Sequence, residues 1–439
     1  MNNQKKSKLI EGKTKIVWSV KNDDENVIIE NKDDITAYDD PSLTKQFKAK
    51  AEYSTTITCC VFELLKKAGI PVAYNHQLSS TEFSVPNCTM IPLEVVARRF
   101  AVGSFLKRHP ELINEDNPHR FHKLVVEYFL KTTGGKLLNS AGKNLLEGSD
   151  LKKGEDDPFI ANCSENEWEL FHSKKPGWEE TSNLGRKIKA NKILSNNSKG
   201  VIENMDEMLR KVFLTLEGAW NMLGYRIIDL KIEFGIDQKG NLLVADVIDN
   251  DSWRLKDPEW KELSKEAFRQ GEEINEIEKN YGFVASLARS LRISRQALVI
   301  WRGSDGDDFP DLGIFENTEG VAIEKITMSG HKSTQMCLNK LEEILGKYPD
   351  GGVIVAKVGR SNGLGPILAA RTSWPVIAIP ATMDSCPDDI WSSVRMPSKV
   401  PLATVWPEAN AILLASEILA QKNPVLYQKR QFMIEKQDE

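Results

Sequence analysis

No apolar run in this chain is long enough to cross a bilayer as a helix, which points away from a membrane protein. A basic excess is also missing. The 439 residues carry 58 Lys and Arg against 63 Asp and Glu, a net charge of −5. A nucleic-acid partner would leave a basic footprint, so small molecules are the expected ligands. Cysteine is sparse: six, at 59, 60, 88, 163, 337 and 386, with no C-x-x-C pair and no disulfide framework for so long a chain. Reduced thiols are the default. The opening stretch Met1–Lys6 lacks the apolar core of a signal peptide, so the cytosol is the expected location. His119 and His122 are spaced for one helical face, but Pro118 precedes them and no third ligand is near, which argues against zinc.

What is present starts with Ile227–Gly235. Ile228, Leu230, Ile232 and Phe234 alternate with Asp229, Lys231 and Glu233, so a strand would separate an apolar from a charged face. Asp237–Gly240 reads as a turn and Leu242–Ile248 as a return strand. A two-residue loop at Gln238-Lys239 and a four-residue loop over Asp237–Gly240 both set Asp246 opposite Lys231, with Asp229 and Glu233 on its diagonals. Carboxylates crowded in this way repel unless a cation sits among them. Mg²⁺, which takes one or two carboxylates plus nucleotide phosphates, suits Glu233 and Asp246. A half-buried hairpin with a solvated polar side is the plainer reading.

Asp249-Asn250-Asp251-Ser252-Trp253-Arg254 follows, with two further acids and a forked cation. Together these stretches resemble the C-terminal signature of the SAICAR synthetase family of purine biosynthesis. A distant match supports it: Met90–Ser104 resembles the family's I-P-x-E-x-x-x-R-x-x-x-T/A-G-S, with Val102 in the Thr/Ala place. Glu94, Arg98 and Ser104 suit a polar, anionic substrate, since arginine offers a bidentate fork. Leu9–Trp18 resembles the family's E-G-K-T-K strand pair, in which a glycine turn and two lysines cover nucleotide phosphates. That places Gly12, Lys13 and Lys15 at ATP, and strand alternation puts both lysines on one face. Lys32–Ala37 resembles the K-D-x-x-T-A element, with Tyr38 replacing the usual glycine. Residues 131–197 are polar and weakly periodic. Lys131 and Asp157-Pro158 match the two ends of a short family link, with an insertion between them.

Residues 263–292 turn helical, with Ile274, Ile277, Tyr281, Val284, Leu287 and Leu291 spaced by three and four. A helix linking two domains is expected, with a coiled-coil helix as the rival. Beyond Ser294, short apolar runs at Ala297–Trp301, Val353–Ala356, Val376–Ile379 and Ala403–Trp406 imply a parallel sheet with ligands at its C-terminal edge. Glycine turns after those strands would let backbone N–H groups reach a phosphate. Gly359–Pro366 reads G-R-S-N-G-L-G-P and Trp391–Pro397 reads W-S-S-V-R-M-P. Both strings resemble AIR carboxylases of the animal, CO₂-using type, and His331 falls in that family's S-A-H-K position. The chain departs from the pattern at Asp305, Gly306, Gly330, Lys357 and Val358, and Pro310 and Gly313 break the helix expected after the first strand.

The resemblance implies an α+β N-terminal domain at 1–262, a SAICAR-synthetase-like ATP-binding fold with antiparallel sheets. After the 263–292 helix it implies a three-layer α/β domain with a parallel, flavodoxin- or Rossmann-like sheet at 293–425, then a tail at 426–439. The implied chemistry is carboxylation of aminoimidazole ribonucleotide by CO₂, then ATP-dependent ligation of the product with L-aspartate. A ligase whose C-terminal half is only an oligomerisation scaffold is the alternative; a phosphotransferase acting on another acceptor is a further rival. Implied for the ligase are Lys231 as catalytic and ATP-binding, Glu233 and Asp246 for Mg²⁺, and Glu94, Arg98, Ser104, Asp229, Asp251 and Arg254 for substrate. For the carboxylase they are His331 as proton-transfer group and Gly303, Ser304, Asp307, Ser329, Lys332, Gly359, Arg360, Ser361 and Gly363 around the ribonucleotide. ATP and Mg²⁺ but no biotin are implied, and a homo-octamer built through the carboxylase domains. Loss of a serine at Gly306 and the added charge of Asp305 imply a weaker hold on the phosphate.

Overall fold

A computed structural model describes residues 5–36, 44–114, 118–138, 143–146, 150–163, 165–176, 182–194 and 198–437. Ala37 and Tyr38 of the K-D-x-x-T-A element lie outside them. The chain divides into two compact units, Met1–Leu291 and Arg292–Gln437.

In the first unit an antiparallel five-stranded sheet has the order Lys5–Glu11, Lys15–Val20, Asp23–Asn31, Glu82–Pro86, His76–Gln77. An antiparallel eight-stranded sheet runs Asn183–Lys189, Glu167–Phe171, Phe159–Ile160, Arg120–Leu130, Cys88–Phe100, Arg226–Asp237, Leu242–Ala245, with Trp253–Lys256 also paired to Arg226–Asp237. The alternation of Ile228–Phe234 buries one face of that central strand. The helix Ser198–Met222 packs there through Met205, Leu209, Val212, Phe213, Leu216 and Trp220, a three-and-four spacing. Arg99 fastens this helix to the sheet with a forked ion pair to Glu217, 2.8 and 2.9 Å.

Four expectations change. The hairpin after Gly235 pairs Glu233 with Ala245 and Ile236 with Leu242, one residue off the expected register. Its loop holds three residues, Gln238-Lys239-Gly240, and Gly240 takes φ +84°. Such a loop carries a bulge at a left-handed residue, which slips the register by one against two- or four-residue loops. Asp246 therefore does not sit opposite Lys231.

The polar insertion is not a loose loop. It adds Phe159–Ile160, Glu167–Phe171 and Asn183–Lys189 to the edge of the large sheet, burying Trp168 and Leu170 fully. Thr132 N donates to Asp157 Oδ1 at 2.8 Å and ties the two ends of the first link together. The 263–292 segment is two helices, Lys265–Arg269 and Ile274–Ala288, separated at Gly271 with φ +91°. The longer one packs on the helix Lys50–Lys67, with Ile277 and Tyr281 against Ile35, Phe47 and Phe268. His119 and His122 lie at the entry of the strand Arg120–Leu130, not on a helix.

The second unit is a parallel sheet in the order Val321–Thr327, Gln296–Arg302, Gly352–Val358, Val376–Pro380, Leu402–Thr404. In chain order this is 2-1-3-4-5, the flavodoxin-like winding, whose switch point lies between the first and third strands. Alternate residues of the first strand feed two cores. Ala297, Val299 and Trp301 meet the helices Thr334–Lys347 and Leu364–Ala369, while Leu298 and Ile300 meet Glu408–Ala420. Between the first two strands only the short turn Gly313–Phe315 forms, as Pro310 and Gly313 foretell. The expected tail is the helix Pro424–Gln437, packed on Glu408–Ala420 with Leu426 in the core.

The insertion's place in the core has a direct test. Trp168→Ala should destabilise the first unit by about 3–5 kcal/mol, the range for deleting a buried aromatic. Urea unfolding followed by circular dichroism checks it, and a change under 1 kcal/mol would mean the insertion is an independent appendage.

Candidate functional site

The charged face predicted for Ile227–Gly235 exists, and neighbouring strands extend it. Residues paired directly across strands share a face. Glu94 lies opposite both Glu233 and Phe129, Val96 opposite Lys231 and Glu127, and Arg98 opposite Asp229, which also pairs with Arg254. Two glutamates facing each other would repel, and lysines resolve this. Lys231 Nζ reaches Glu94 Oε1 at 2.8 Å. Lys131 Nζ reaches both oxygens of Glu233 at 2.6 Å. Burial pushes the Glu233 carboxyl up, but Lys131, Lys231 and Lys15 outweigh it and hold it below the ordinary carboxylate range.

Asp246 reaches this region by another route than the one expected. The return strand stops at Ala245, and Asp246 takes φ +66°. Its carboxylate pairs with Lys15 of the other sheet. Burial lowers Lys15 to about 8, Glu233 and Asp249 raise it, and Lys131 and Lys231 lower it further. Lys13 departs from the expectation. It lies in the turn closed by Gly12 N donating to Lys15 O at 2.8 Å, exposed and outside the strand, so alternation does not align it with Lys15.

The arginines form a buried lattice. Arg98 donates to Glu127 Oε2 at 2.5 Å, to Asp229 Oδ2 at 2.6 Å and to Ser104 Oγ at 3.2 Å. Asp229 also accepts from Arg254, which reaches on to Glu266 at 3.2 Å. Glu127 also pairs with Arg108, whose second nitrogen donates to Ser173 O of the insertion at 2.6 Å. Gly103 is required between these groups. Its φ is +60°, and a Cβ there would sit 2.5 Å from Arg254 Nη2. Arg98 is 3% exposed and wholly engaged, so it orients its neighbours, whereas Arg254 keeps an edge toward solvent.

The Asp249–Arg254 stretch is anchored from beneath. Asn250 is fully buried, donating to Leu263 O at 2.7 Å and accepting from Trp253 Nε1 at 2.9 Å. Asp251 meets Lys265 at 3.1 Å, Lys50 at 3.5 Å and the Tyr281 hydroxyl. Burial raises Asp251, yet Lys265 and Lys50 dominate and hold it well below its usual range; burial and the neighbouring Asp251 charge push Asp249 up.

In the second unit the expected residues gather at the C-terminal strand ends. His331 lies against Gly363, where a Cβ would be 2.3 Å from Nε2. Gly359 approaches Asp307, and Ser304 Oγ donates to Asp307 Oδ2 at 3.0 Å. Ser329 Oγ accepts from Lys332 N at 3.3 Å. Gly330 is forced by packing, since a Cβ would meet Leu364 Cα at 2.7 Å. Arg360 and Ser361 are exposed at the loop tip, with Ser361 N donating to Asp389 at 2.9 Å. The W-S-S string serves this loop: Ser392 Oγ accepts from Asn362 N and Ser393 Oγ from Asn362 Nδ2, both at 3.0 Å. Asp305 is paired with Arg302 at 2.9 Å.

Sequence reasoning missed Lys131 as a partner of Glu233, although Glu127, Phe129 and Lys131 alternate on one strand line. It also missed Arg108 and Lys50, whose contacts are long-range, and Arg302, which binds Asp305 and Asp307 nearby in the chain.

Two family models match the chain. The SAICAR synthetase family model matches residues 8–140 and 179–283, leaving part of the insertion unmatched. The AIR carboxylase model matches 304–439, including the C-terminal helix first read as lying outside the resemblance. A Caenorhabditis elegans protein described as probable multifunctional protein ADE2 is 32% identical over 439 residues, covering 96% of this chain and 92% of that protein. The rat bifunctional phosphoribosylaminoimidazole carboxylase/phosphoribosylaminoimidazole succinocarboxamide synthetase is 31% identical, with the same coverage. Among solved structures, the Ehrlichia chaffeensis phosphoribosylaminoimidazole-succinocarboxamide synthase aligns with 65% of this chain and all of its own, at 22% identity and TM-score 0.49. No helix among the described residues is long and apolar enough to cross a membrane. The chain belongs to the bifunctional purine-biosynthesis family in which a SAICAR synthetase domain is followed by an AIR carboxylase domain.

Proposed function

We propose that the charged face of the first unit is the ligase site and the strand-end loops of the second are the carboxylase site. The observation that carries the ligase assignment is the set of three ion pairs, Lys231 with Glu94, Lys131 with Glu233 and Lys15 with Asp246. Lys15 and Lys231, with Lys13 and Gly12 at the turn above, neutralise ATP phosphate charge. Glu233 and Asp246 would hold Mg²⁺ together with nucleotide oxygens, the ligands that ion favours. Among the described residues no group of three or more His, Cys, Asp or Glu side chains is placed to hold a metal ion. Bound with ATP, Mg²⁺ supplies charge neutralisation on the phosphates.

The carboxylate of carboxyaminoimidazole ribonucleotide attacks the γ-phosphorus, ADP leaves, and the aspartate amine displaces phosphate from the acyl carbon. Such catalysis is positioning plus electrostatics, which the Lys–Glu pairs and the arginine lattice supply. Arg254 and Ser104 face the substrate's anionic groups, with Glu94 beside them; Arg98 holds Ser104 and Asp229 holds Arg254, while Asp251, bound to Lys265, Lys50 and Tyr281, anchors the turn before Arg254. In the second unit His331 accepts the ring proton displaced as CO₂ adds, and Gly303, Ser304, Asp307, Ser329, Lys332, Gly359, Arg360, Ser361 and Gly363 cradle the ribonucleotide. This chemistry uses no biotin. A homo-octamer through the carboxylase units follows from the family resemblance, and exposed Trp391, Val394 and Trp406 supply apolar surface for it. Six free cysteines suit a reducing compartment, and we assign the protein to the cytosol.

Two assays test this. With aminoimidazole ribonucleotide and bicarbonate but no ATP, the protein should form the carboxylated product; with that product, Mg-ATP and aspartate it should release ADP in proportion to aspartate. Asp246→Asn should abolish the second reaction alone, and His331→Asn should slow the first by about a hundredfold or more. ADP release without aspartate would favour a phosphotransferase, and no ATP-free carboxylation a scaffold.

The Lys15 environment predicts a pH limb. Its folded pKa is about 8 against 10.5 for an ordinary lysine. The positive charge is therefore lost as pH rises through 8, and kcat/KM for ATP should fall about tenfold per unit above that. Lys15→Arg should remove the limb, because guanidinium stays charged. The unfolded chain holds this proton up to 10.5, so the group's cost to folding is present below 8 and fades between 8 and 10.5. An unchanged limb in Lys15→Arg would place the titrating group elsewhere.

A further inference from the structure

At the switch point of the parallel sheet, Arg302 ends the first strand and Lys357 lies directly beside it on the third. Paired residues share a face, and like charges so placed destabilise a sheet. Both side chains are largely buried, at 18% and 13% exposure. The acids that balance them are loosely held: Asp305 is 91% exposed and Glu408 43%. Ion pairs to acids so exposed contribute little. The Arg302 guanidinium is fixed independently of Asp305, donating to Thr327 Oγ1 at 2.6 Å and Asp307 O at 2.8 Å, with Phe309 4.4 Å beneath its centre. Only Nη2 turns to Asp305, at 2.9 Å. Thus two largely buried cations, Arg302 fixed and Lys357 held by Glu408, carry exposed counter-ions at the place where flavodoxin-like sheets bind ligands. The neighbouring loop has Gly306 where the family pattern carries a serine.

We propose that Arg302 and Lys357 form a two-cation subsite that takes the phosphate of the ribonucleotide, and that Asp305 and Glu408 occupy these cations until the phosphate displaces them. The subsite rests on the carboxylase reading for its substrate, but its chemistry, a phosphate monoester on two cations, can be tested apart from turnover. It compensates for the hydroxyl lost at Gly306 with charge. It also reassigns Asp305, which is a stand-in for the phosphate when paired with Arg302.

The test measures KM for aminoimidazole ribonucleotide in ATP-free carboxylation and, by calorimetry, the Kd of ribose 5-phosphate, on full-length protein. Arg302→Met and Lys357→Val should each raise KM and Kd about tenfold, the loss expected for one charge-assisted hydrogen bond. Kcat should change little, and affinity for the uncharged nucleoside should be unaltered. Asp305→Asn and Glu408→Gln should act in the opposite sense, tightening ribose 5-phosphate a few-fold. Affinity unchanged in the folded Arg302→Met/Lys357→Val double variant would overturn the subsite, as would equal losses for nucleoside and nucleotide or weaker binding in both acid variants. If wild type binds ribose 5-phosphate with this pattern yet does not carboxylate, the subsite stands and the carboxylase reading falls. If it carboxylates and the double variant keeps its KM, the reverse holds.

Discussion

Asp229 accepts hydrogen bonds from two guanidinium groups at once, and the ligase face is arranged around it. Arg98 comes from the adjacent strand on one side and Arg254 from the strand on the other. Each arginine extends the lattice, Arg98 to Glu127 and through it to Arg108, Arg254 to Glu266 on the next helix. Asp229 and Arg98 are 5% and 3% exposed, so neither charge is solvated by water. Removing one partner of such a pair leaves a buried charge uncompensated and costs about 3–5 kcal/mol. Strand register, the Gly103 turn and the position of Ser104 all depend on this lattice being complete.

The two proposed sites would bind anionic substrates by different means. The first uses side-chain charge: lysines are held over glutamates on a face where alternation forces the acids together, and a nucleotide binding there would enter an already neutralised surface. The second uses backbone. Gly363 and Gly330 let loops approach closer than any side chain would permit, and buried Asn362 locks one loop to Ser392 and Ser393. Where that backbone scheme loses a hydroxyl, at Gly306, Arg302 and Lys357 bring side-chain charge to the neighbouring strand ends.

Local pattern made much of this legible. The alternation of Ile228–Phe234 identifies the charged face, the apolar runs after Ser294 identify four of the five parallel strands but not Val321–Thr327, and the resemblance marks both families. Register was not legible, because a three-residue loop with Gly240 left-handed differs by one residue from the alternatives and the difference lies in one backbone angle. Lys15 finds Asp246 across two sheets, a contact with no sequence-local trace. The insertion reads as weakly periodic because its strands are short and edge-bound, with Phe159, Ile160, Trp168, Leu170, Phe171 and Ile188 buried among polar residues. The helix Pro424–Gln437 hides for a similar reason: its buried side includes Gln428 and Glu435 among the apolar residues.

The dependence of the ligase face on Asp229 is tested most directly by a double-mutant cycle between Asp229→Asn and Arg98→Met, read as unfolding free energy and as KM for the carboxylated ribonucleotide. If one lattice holds the face, either change breaks it and the second adds little, so a coupling of about 2–3 kcal/mol is predicted. Effects that add to within about 0.5 kcal/mol would contradict the account, making Asp229 and Arg98 independent contributors.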